Sequence, residues 1–263
     1  MKKMIDRILA ILLLVCLVFS CPIPTKADPA SRQTEPVRIL LVGNSLTGRH
    51  CLSGMLARIA GSKGQKVQVT TLAKGGCNLR KFATDGTRMN RRLRRLLSRQ
   101  SWDYVVYQDR HAYPVLYIGD MCRATEKLCR MARKAGAQPM LYMTWAPEKG
   151  HRDYRRMSGL VSGRADYQEK IAASYEYISS HTNAPVIPVG YAFLNAGRSA
   201  SDIRLLSSDK YHPSRYGSYL TACTMYSALF QETPEVSSSG SDDLSRLQRI
   251  AWSTWRHYQN SRP

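Results

Sequence analysis

Acidic residues are scarce in this chain. Nineteen Asp and Glu stand against 39 Lys and Arg, a formal net charge of +20 over 263 residues. That balance favours acidic partners such as anionic polysaccharide, envelope lipid or nucleic acid, and it also serves colloidal solubility. Other absences narrow the chemistry. There is no Cys-x-x-Cys and no His-Glu-x-x-His, so the sequence offers no basis for a zinc site, and we assign no metal ligand and no cofactor. Gly-x-Ser-x-Gly does not occur, which removes the usual nucleophile elbow of the α/β-hydrolases. No nucleic-acid motif accompanies the positive charge, so nucleic acid is set aside as a partner.

Long apolar runs are also missing. Ile8 to Phe19 is too short for a comfortable membrane span. It follows Lys2, Lys3 and Arg7 and precedes a small-residue, Pro-containing stretch, Ser20 to Ala27, the layout of a secretory signal peptide with cleavage after Ala27. The rival is a lipobox, Val18-Phe19-Ser20-Cys21, which would place a lipid anchor on Cys21. Either route takes the protein out of the cytoplasm, to periplasm, cell surface or medium, with membrane contact only through that anchor. Removing residues 1–27 takes four basic residues and one acid and leaves a net charge of +17. Five of the seven cysteines remain, an odd number, so at least one is a free thiol. Cys122 and Cys129 share a helix face but lie roughly 10 Å apart along it, too far to bond. Cys51 with Cys77 is the pair worth testing.

After a linker, 28–36, residues 37–260 read as a single domain. Five apolar, β-branched-rich runs have the character of buried strands: Arg38–Val42, Val67–Leu72, Tyr104–Tyr107, Pro139–Thr144 and Pro185–Pro188. Helical stretches alternate with them, at 51–61, 87–99, 119–135, 163–180 and 214–230, and alternation of this kind predicts a parallel sheet with helices on both faces. A last amphipathic helix, 242–258, follows a Ser/Pro-rich connection and is capped by Ser241-Asp242-Asp243. In such a sheet the active residues gather at the carboxyl ends of the strands. Ser45, Gly75-Gly76, Gln108 and Trp145 each sit just past a predicted strand.

Two short motifs carry the chemistry. Gly43-Asn44-Ser45 closes the first strand and exposes a hydroxyl on a strand-to-helix turn, where backbone N–H groups converge. Asp209-Lys210-Tyr211-His212-Pro213-Ser214 places a carboxylate three residues before an imidazole, at the start of the helix 214–230. Hydroxyl, imidazole and carboxylate are the three groups of a serine hydrolase, with the Asp fixing the tautomer in which His accepts the serine proton. Trp145 at the rim of such a site would stack on a sugar ring, Asn44 lies beside the nucleophile, and His111 follows Gln108 closely enough to reach substrate. His50, His151, His181 and His257 have no partner motif and read as surface residues.

With those residues the chain resembles the SGNH/GDSL hydrolase superfamily. Val42-Gly43-Asn44-Ser45-Leu46-Thr47 resembles its first block, with Asn44 where many members have Asp, and Asp209-Lys210-Tyr211-His212 its last. The resemblance covers about residues 37–231. It implies a flavodoxin-like three-layer α/β/α fold and ester hydrolysis without a cofactor, with Ser45, His212 and Asp209 as the catalytic set. It also implies an oxyanion hole built from the N–H of Ser45 and of Gly76, with Gly75 the second choice. The third block departs from the family pattern. The segment after the third strand reads Tyr107-Gln108-Asp109-Arg110 and has no Gly-x-Asn. Gln108 carries the same amide on a longer stem and is the candidate replacement donor.

Basic residues cluster twice more. Arg88, Arg92, Arg95 and Arg99 form one outward row on a predicted helix, and Lys149 to Arg164 is a basic, Gly- and Ser-containing segment that borders the expected cleft. The resulting expectation is an exported serine esterase that removes acetyl or other short acyl groups from a polysaccharide, an acidic one if the charge is used. The alternative, from another class, is a non-catalytic surface protein that binds anionic glycan through the arginine ridge.

Overall fold

In the computed structural model, which describes residues 35–235 and 242–261, the first apolar run forms strand β1 (Val37–Gly43). Ile39, Leu40, Leu41 and Val42 are all fully buried. A strand covered on both faces needs no polar alternation, so its sequence reads as one apolar run. β1 lies between β2 (Val67–Ala73) and β3 (Tyr104–Tyr107). β4 (Gln138–Tyr142) and β5 (Val186–Ile187) complete a five-stranded parallel sheet of order β2-β1-β3-β4-β5. β2 is an edge strand. It is only partly buried and carries Gln68, Thr70 and Thr71.

The helices follow in chain order: α1 (Ser45–Gly48), α2 (Leu52–Ser62), α3 (Leu79–Ala83), α4 (Arg88–Arg99), α5 (Tyr113–Leu116), α6 (Ile118–Lys134), α7 (Arg152–Arg156), α8 (Arg164–Thr182), α9 (Val189–Ser199), α10 (Arg215–Phe230) and α11 (Asp242–Asn260). A 3₁₀ turn, Arg49–Cys51, joins α1 to α2. On one side of the sheet α10 packs against α2 and α11; on the other α6 packs against α3 and α8. The result is the three-layer α/β/α arrangement expected from the alternation of elements. From β1 the chain runs to β2 on one side and then crosses to β3 on the other. The connections that leave the carboxyl ends of β1 and β3 therefore depart in opposite directions, the arrangement that opens a crevice above those ends.

Two differences from the sequence reading have local causes. β4 ends at Tyr142, short of Thr144, although the Met143 N–H still donates to the Ile187 carbonyl at 3.1 Å. The Thr144 carbonyl turns to the Gln168 amide at 3.3 Å, and Pro188 has no N–H with which to extend the ladder. Helix α9 is additional. Its buried residues Val189, Ala192, Phe193 and Ala196 have helical spacing, but Gly190 and Gly197 inside it weaken the local signal. The signal-peptide segment 1–27, Cys21, most of the linker 28–36 and the cap residue Ser241 lie outside the described residues. No described helix is long and apolar enough to cross a membrane.

Gly217, in the first turn of α10, sits hard against the preceding loop. A Cβ there would overlap the Leu205 carbonyl oxygen and come within 3.1 Å of Phe193 Cζ. Gly217→Ala is therefore expected to destabilise the fold by ~1–3 kcal/mol, although alanine gains ~1 kcal/mol in helix propensity. Urea unfolding should show a lower midpoint at unchanged slope; an equal or higher midpoint would refute the close approach.

Candidate functional site

Asn44 follows β1 and caps α1. Its backbone is extended, its Oδ1 accepts from the Leu46 N–H at 3.1 Å, and its Nδ2 donates to the Cys77 carbonyl at 3.0 Å. A cap of this kind satisfies one of the orphan N–H groups of the first turn. Ser45 follows as the first helical residue, and its Oγ lies 2.9 Å from His212 Nε2. Asn44 is 2% exposed and both ends of its amide are engaged, so its side chain shapes the nucleophile's turn, and the residue is also part of the cleft lining.

The loop before α10 is held from several directions. Leu206 and Pro213 form an antiparallel bridge, and the Ser207 N–H donates to the His212 carbonyl at 2.8 Å. Lys210 adopts a left-handed backbone, φ 62°, which closes the turn. Asp209 Oδ1 then accepts the N–H of Tyr211 and of His212, at 3.0 and 2.9 Å, while Oδ2 lies 2.6 Å from His212 Nδ1. Partial burial opposes ionisation of Asp209. The hydrogen bonds from the His212 side chain and the two backbone N–H groups outweigh it and hold the carboxyl down at about 2. The chain of contacts from Asp209 through His212 to Ser45 thus has the geometry of an activated hydroxyl with an oriented base.

Gly75 and Gly76 line the same cleft, with Gly76 at φ +69°. Among the described residues no backbone hydrogen bond engages the N–H of Ser45, Gly75 or Gly76. These groups remain available to a developing negative charge on a carbonyl oxygen.

Gln108 does not do what its position suggested. Its Oε1 accepts from the Asn44 N–H at 3.0 Å and from Thr47 Oγ1 at 2.8 Å, and its Nε2 donates to the Asp109 carbonyl. The side chain is 1% exposed and lies across Gly43, where a Cβ would collide with it. The longer stem carries the amide over β1 and away from the cleft, so Gln108 ties β3 to the nucleophile's turn and is not an oxyanion donor. Asp109 beside it is also buried and receives the N–H of Leu79 and Arg110, at 3.2 and 2.7 Å. Burial raises its carboxyl to about 7, against the lowering effect of those two N–H groups and the Arg110 charge.

Two further expectations are corrected by burial. Trp145 is fully buried, stacked on Phe193 with ring centres 4.0 Å apart, and its indole N–H donates to the Tyr211 carbonyl at 3.1 Å. It braces the His212 loop from below and offers no face to a sugar. His111 is equally buried, between Trp145 and the edge of Tyr211, and burial lowers its imidazole to about 3. It is a neutral core residue that does not reach substrate. Of the histidines assigned to the surface, His50 is exposed but supports the His212 loop, and His151 belongs to the cleft. His50 Nε2 lies 3.0 Å from the Pro213 carbonyl, and His151 lines the cleft, stacked on Tyr211 at 4.8 Å. All five described cysteines are free, Cys51 and Cys77 included.

The cleft has a volume of about 770 Å³. Besides Ser45, His212 and Asp209 it is lined by Arg49, Arg110, Arg152, Arg155, Lys210 and Tyr211, among others. Arg152 and Arg155 come from the basic segment after Trp145. The arginine row of α4 is present and exposed, but it is not part of the cleft lining.

No protein-family model and no curated protein matches the sequence. Solved structures do. A candidate SGNH hydrolase from Slackia heliotrinireducens superposes with a TM-score of 0.65 at 27% identity, over 74% of this chain and 100% of that one. The chain belongs to the SGNH/GDSL hydrolase superfamily. A DUF4886 family protein from Bacteroides uniformis superposes on this SGNH hydrolase with a TM-score of 0.69 at 19% identity, covering 87% of this chain and 98% of that one. An acetyl xylan esterase gives 0.58 at 14% identity, covering 73% and 100% respectively.

The buried polar pair behind this SGNH site yields two predictions. Gln108→Ala leaves the Asn44 N–H and the Thr47 hydroxyl without an acceptor, at ~1–3 kcal/mol each. It should lower the denaturation midpoint, whereas a loss of kcat at unchanged stability would return Gln108 to the oxyanion hole. Asp109 has a folded-state pKa raised above its unfolded value, so its stabilising contribution is complete below ~4 and is lost as pH rises through about 7. Wild type should therefore lose more stability between pH 5 and pH 8 (roughly the window on either side of that titration) than Asp109→Asn does. Parallel pH dependences in the two proteins would refute this.

Proposed function

We propose that this SGNH hydrolase is an exported serine esterase that removes acetyl or other short acyl groups from a polysaccharide. The observation that carries the catalytic part is the contact chain Asp209–His212–Ser45, at 2.6 and 2.9 Å, opening onto a solvent-accessible cleft. In this reading Ser45 Oγ attacks the ester carbonyl carbon while His212 Nε2 takes its proton. The carbonyl oxygen becomes an oxyanion that accepts from the N–H groups of Ser45 and Gly76. His212 then returns the proton to the departing alcohol oxygen, leaving Ser45 acylated. Water then attacks the acyl carbon and gives a proton to His212, which returns it to Ser45 Oγ as the acyl–Ser45 bond breaks and the carboxylic acid is released. Asp209 stays ionised throughout and holds the imidazole in the accepting tautomer. With Gln108 turned inward the oxyanion relies on backbone donors, and losing one such donor typically costs ~10²–10³ in rate.

The likeness to an acetyl xylan esterase supports a polysaccharide carrier, and the polar, arginine-rich lining suits a hydrophilic alcohol better than a long acyl chain. The charged start and short apolar run of residues 1–27 support export. The complete contact chain favours catalysis over glycan binding alone.

A fluorophosphonate probe should label wild type at Ser45 and leave Ser45→Ala unlabelled. On 4-nitrophenyl acetate, Ser45→Ala and His212→Ala should each lose ~10⁴–10⁶ in kcat/KM, and Asp209→Asn about 10–100-fold less than either. Full turnover by Ser45→Ala would sink the assignment, and a strong preference for octanoate over acetate would replace the glycan reading with a lipase.

A further inference from the structure

The cleft holds more positive charge than ester hydrolysis requires. Arg49, Arg110, Arg152, Arg155 and Lys210 all line it, and Asp209, already engaged by His212, is the one acid in that lining. Among the described residues no salt bridge holds Arg49, Arg110, Arg152 or Arg155. Arg156, next in sequence to Arg155 and outside the lining, is by contrast held by Asp153 at 3.6 Å. Arg152 and Arg155 are three apart on α7 and share a helix face. Arg110 is half-buried, with its guanidinium 5.7 Å from the Tyr113 ring centre. Its backbone N–H is fixed by Asp109, so its starting point is rigid.

Five like charges around one concavity repel one another, and the walls of a cleft screen them less than open solvent does. An anionic group entering the cleft removes that repulsion, and a guanidinium presents paired N–H donors that match a carboxylate or sulfate. We propose that the cleft contains an anion subsite, formed by Arg110, Arg152 and Arg155 with Arg49 and Lys210 completing the lining, and that it selects esters that carry a carboxylate or sulfate. The placement of the scissile ester at Ser45 rests on the esterase reading; the subsite itself does not. A single anionic group has two possible positions in such a substrate, on the sugar or on the acyl group, and both present the same chemistry to the arginines.

The test compares selectivity in wild type and in Arg152→Gln/Arg155→Gln. One arm measures acetate release from O-acetylated galacturonide oligomers against O-acetylated xylo-oligomers. The other measures 4-nitrophenyl hemisuccinate against 4-nitrophenyl acetate. Wild type should prefer the anionic member of at least one pair by about tenfold or more in kcat/KM, and that ratio should fall towards one in the double variant and at high salt. The arm that responds assigns the anion to sugar or acyl group. Ratios near one in both arms for wild type, or a preference that survives the double substitution, would overturn the subsite. A binding arm separates this from the esterase reading. Calorimetric titration of Ser45→Ala with trigalacturonate and with xylotriose should show tighter binding of the former, weakened by Arg110→Gln. If no ester is turned over, the esterase reading fails, and this titration still decides the subsite. Equal binding of the two trisaccharides would reject it.

Discussion

The contact between Ser45 Oγ and His212 Nε2 joins residues 167 apart in the chain, and the rest of the site is built to hold its two ends 2.9 Å apart. Hydrogen bonds weaken steeply with small displacements, and proton transfer between positioned groups weakens with them. Neither end is held by its own segment alone. Ser45 depends on the Asn44 cap, which in turn is pinned by the Cys77 carbonyl and by the Gln108 carboxamide arriving from β3. His212 depends on Asp209 within its loop, on His50 through the Pro213 carbonyl, and on Trp145 through the Tyr211 carbonyl. Trp145 is stacked on Phe193 of α9, so core packing is converted into positional accuracy at the surface.

Behind the cleft, the carboxyl ends of β1 and β3 are joined by buried polar groups. Gln108 and Asp109 accept four hydrogen bonds there, from the Asn44 N–H, the Thr47 hydroxyl, the Leu79 N–H and the Arg110 N–H. A buried polar network is favourable only when its members are satisfied, and this one ties the starts of α1 and α3 to the sheet. Gly43 makes room for it, because any side chain on β1 at that point would occupy the place of the Gln108 amide. The departure from the family's third block therefore has a structural use. The Gln108 amide serves the scaffold, and in the proposed mechanism the oxyanion is left to backbone N–H groups of Ser45 and the Gly75-Gly76 turn.

Legibility of the site divides along one physical line. Ser45, Asp209 and His212 were readable because the Asp-to-His spacing of three is a local constraint that one tight loop satisfies, and because Ser45 ends an apolar run whose period reveals a strand. Trp145, His111 and Gln108 were placed correctly along the chain but wrongly in depth, whereas Asn44 does line the cleft with its amide turned inward. Each lies just past a strand, where a polar or aromatic side chain has two ways to turn, and the one taken depends on distant partners: Phe193 for Trp145, Tyr211 for His111, Gly43 for Gln108. Arg110 and His151 were overlooked for the converse reason, since nothing local distinguishes a cleft-lining cation or imidazole from a solvated one.

By itself the amino-acid sequence determined the alternation of strands and helices, since burial on both sheet faces demands contiguous apolar runs and each helix needs its own apolar stripe. It also determined the loop that brings Asp209 to His212, since that geometry spans only a few residues. The tertiary structure alone decided the strand order that opens the crevice between β1 and β3, the meeting of Ser45 with His212, and the depth of every side chain around them. Those are relations between segments far apart in the chain. Burial and hydrogen-bond satisfaction are properties of the neighbours that folding supplies, and no local pattern encodes them.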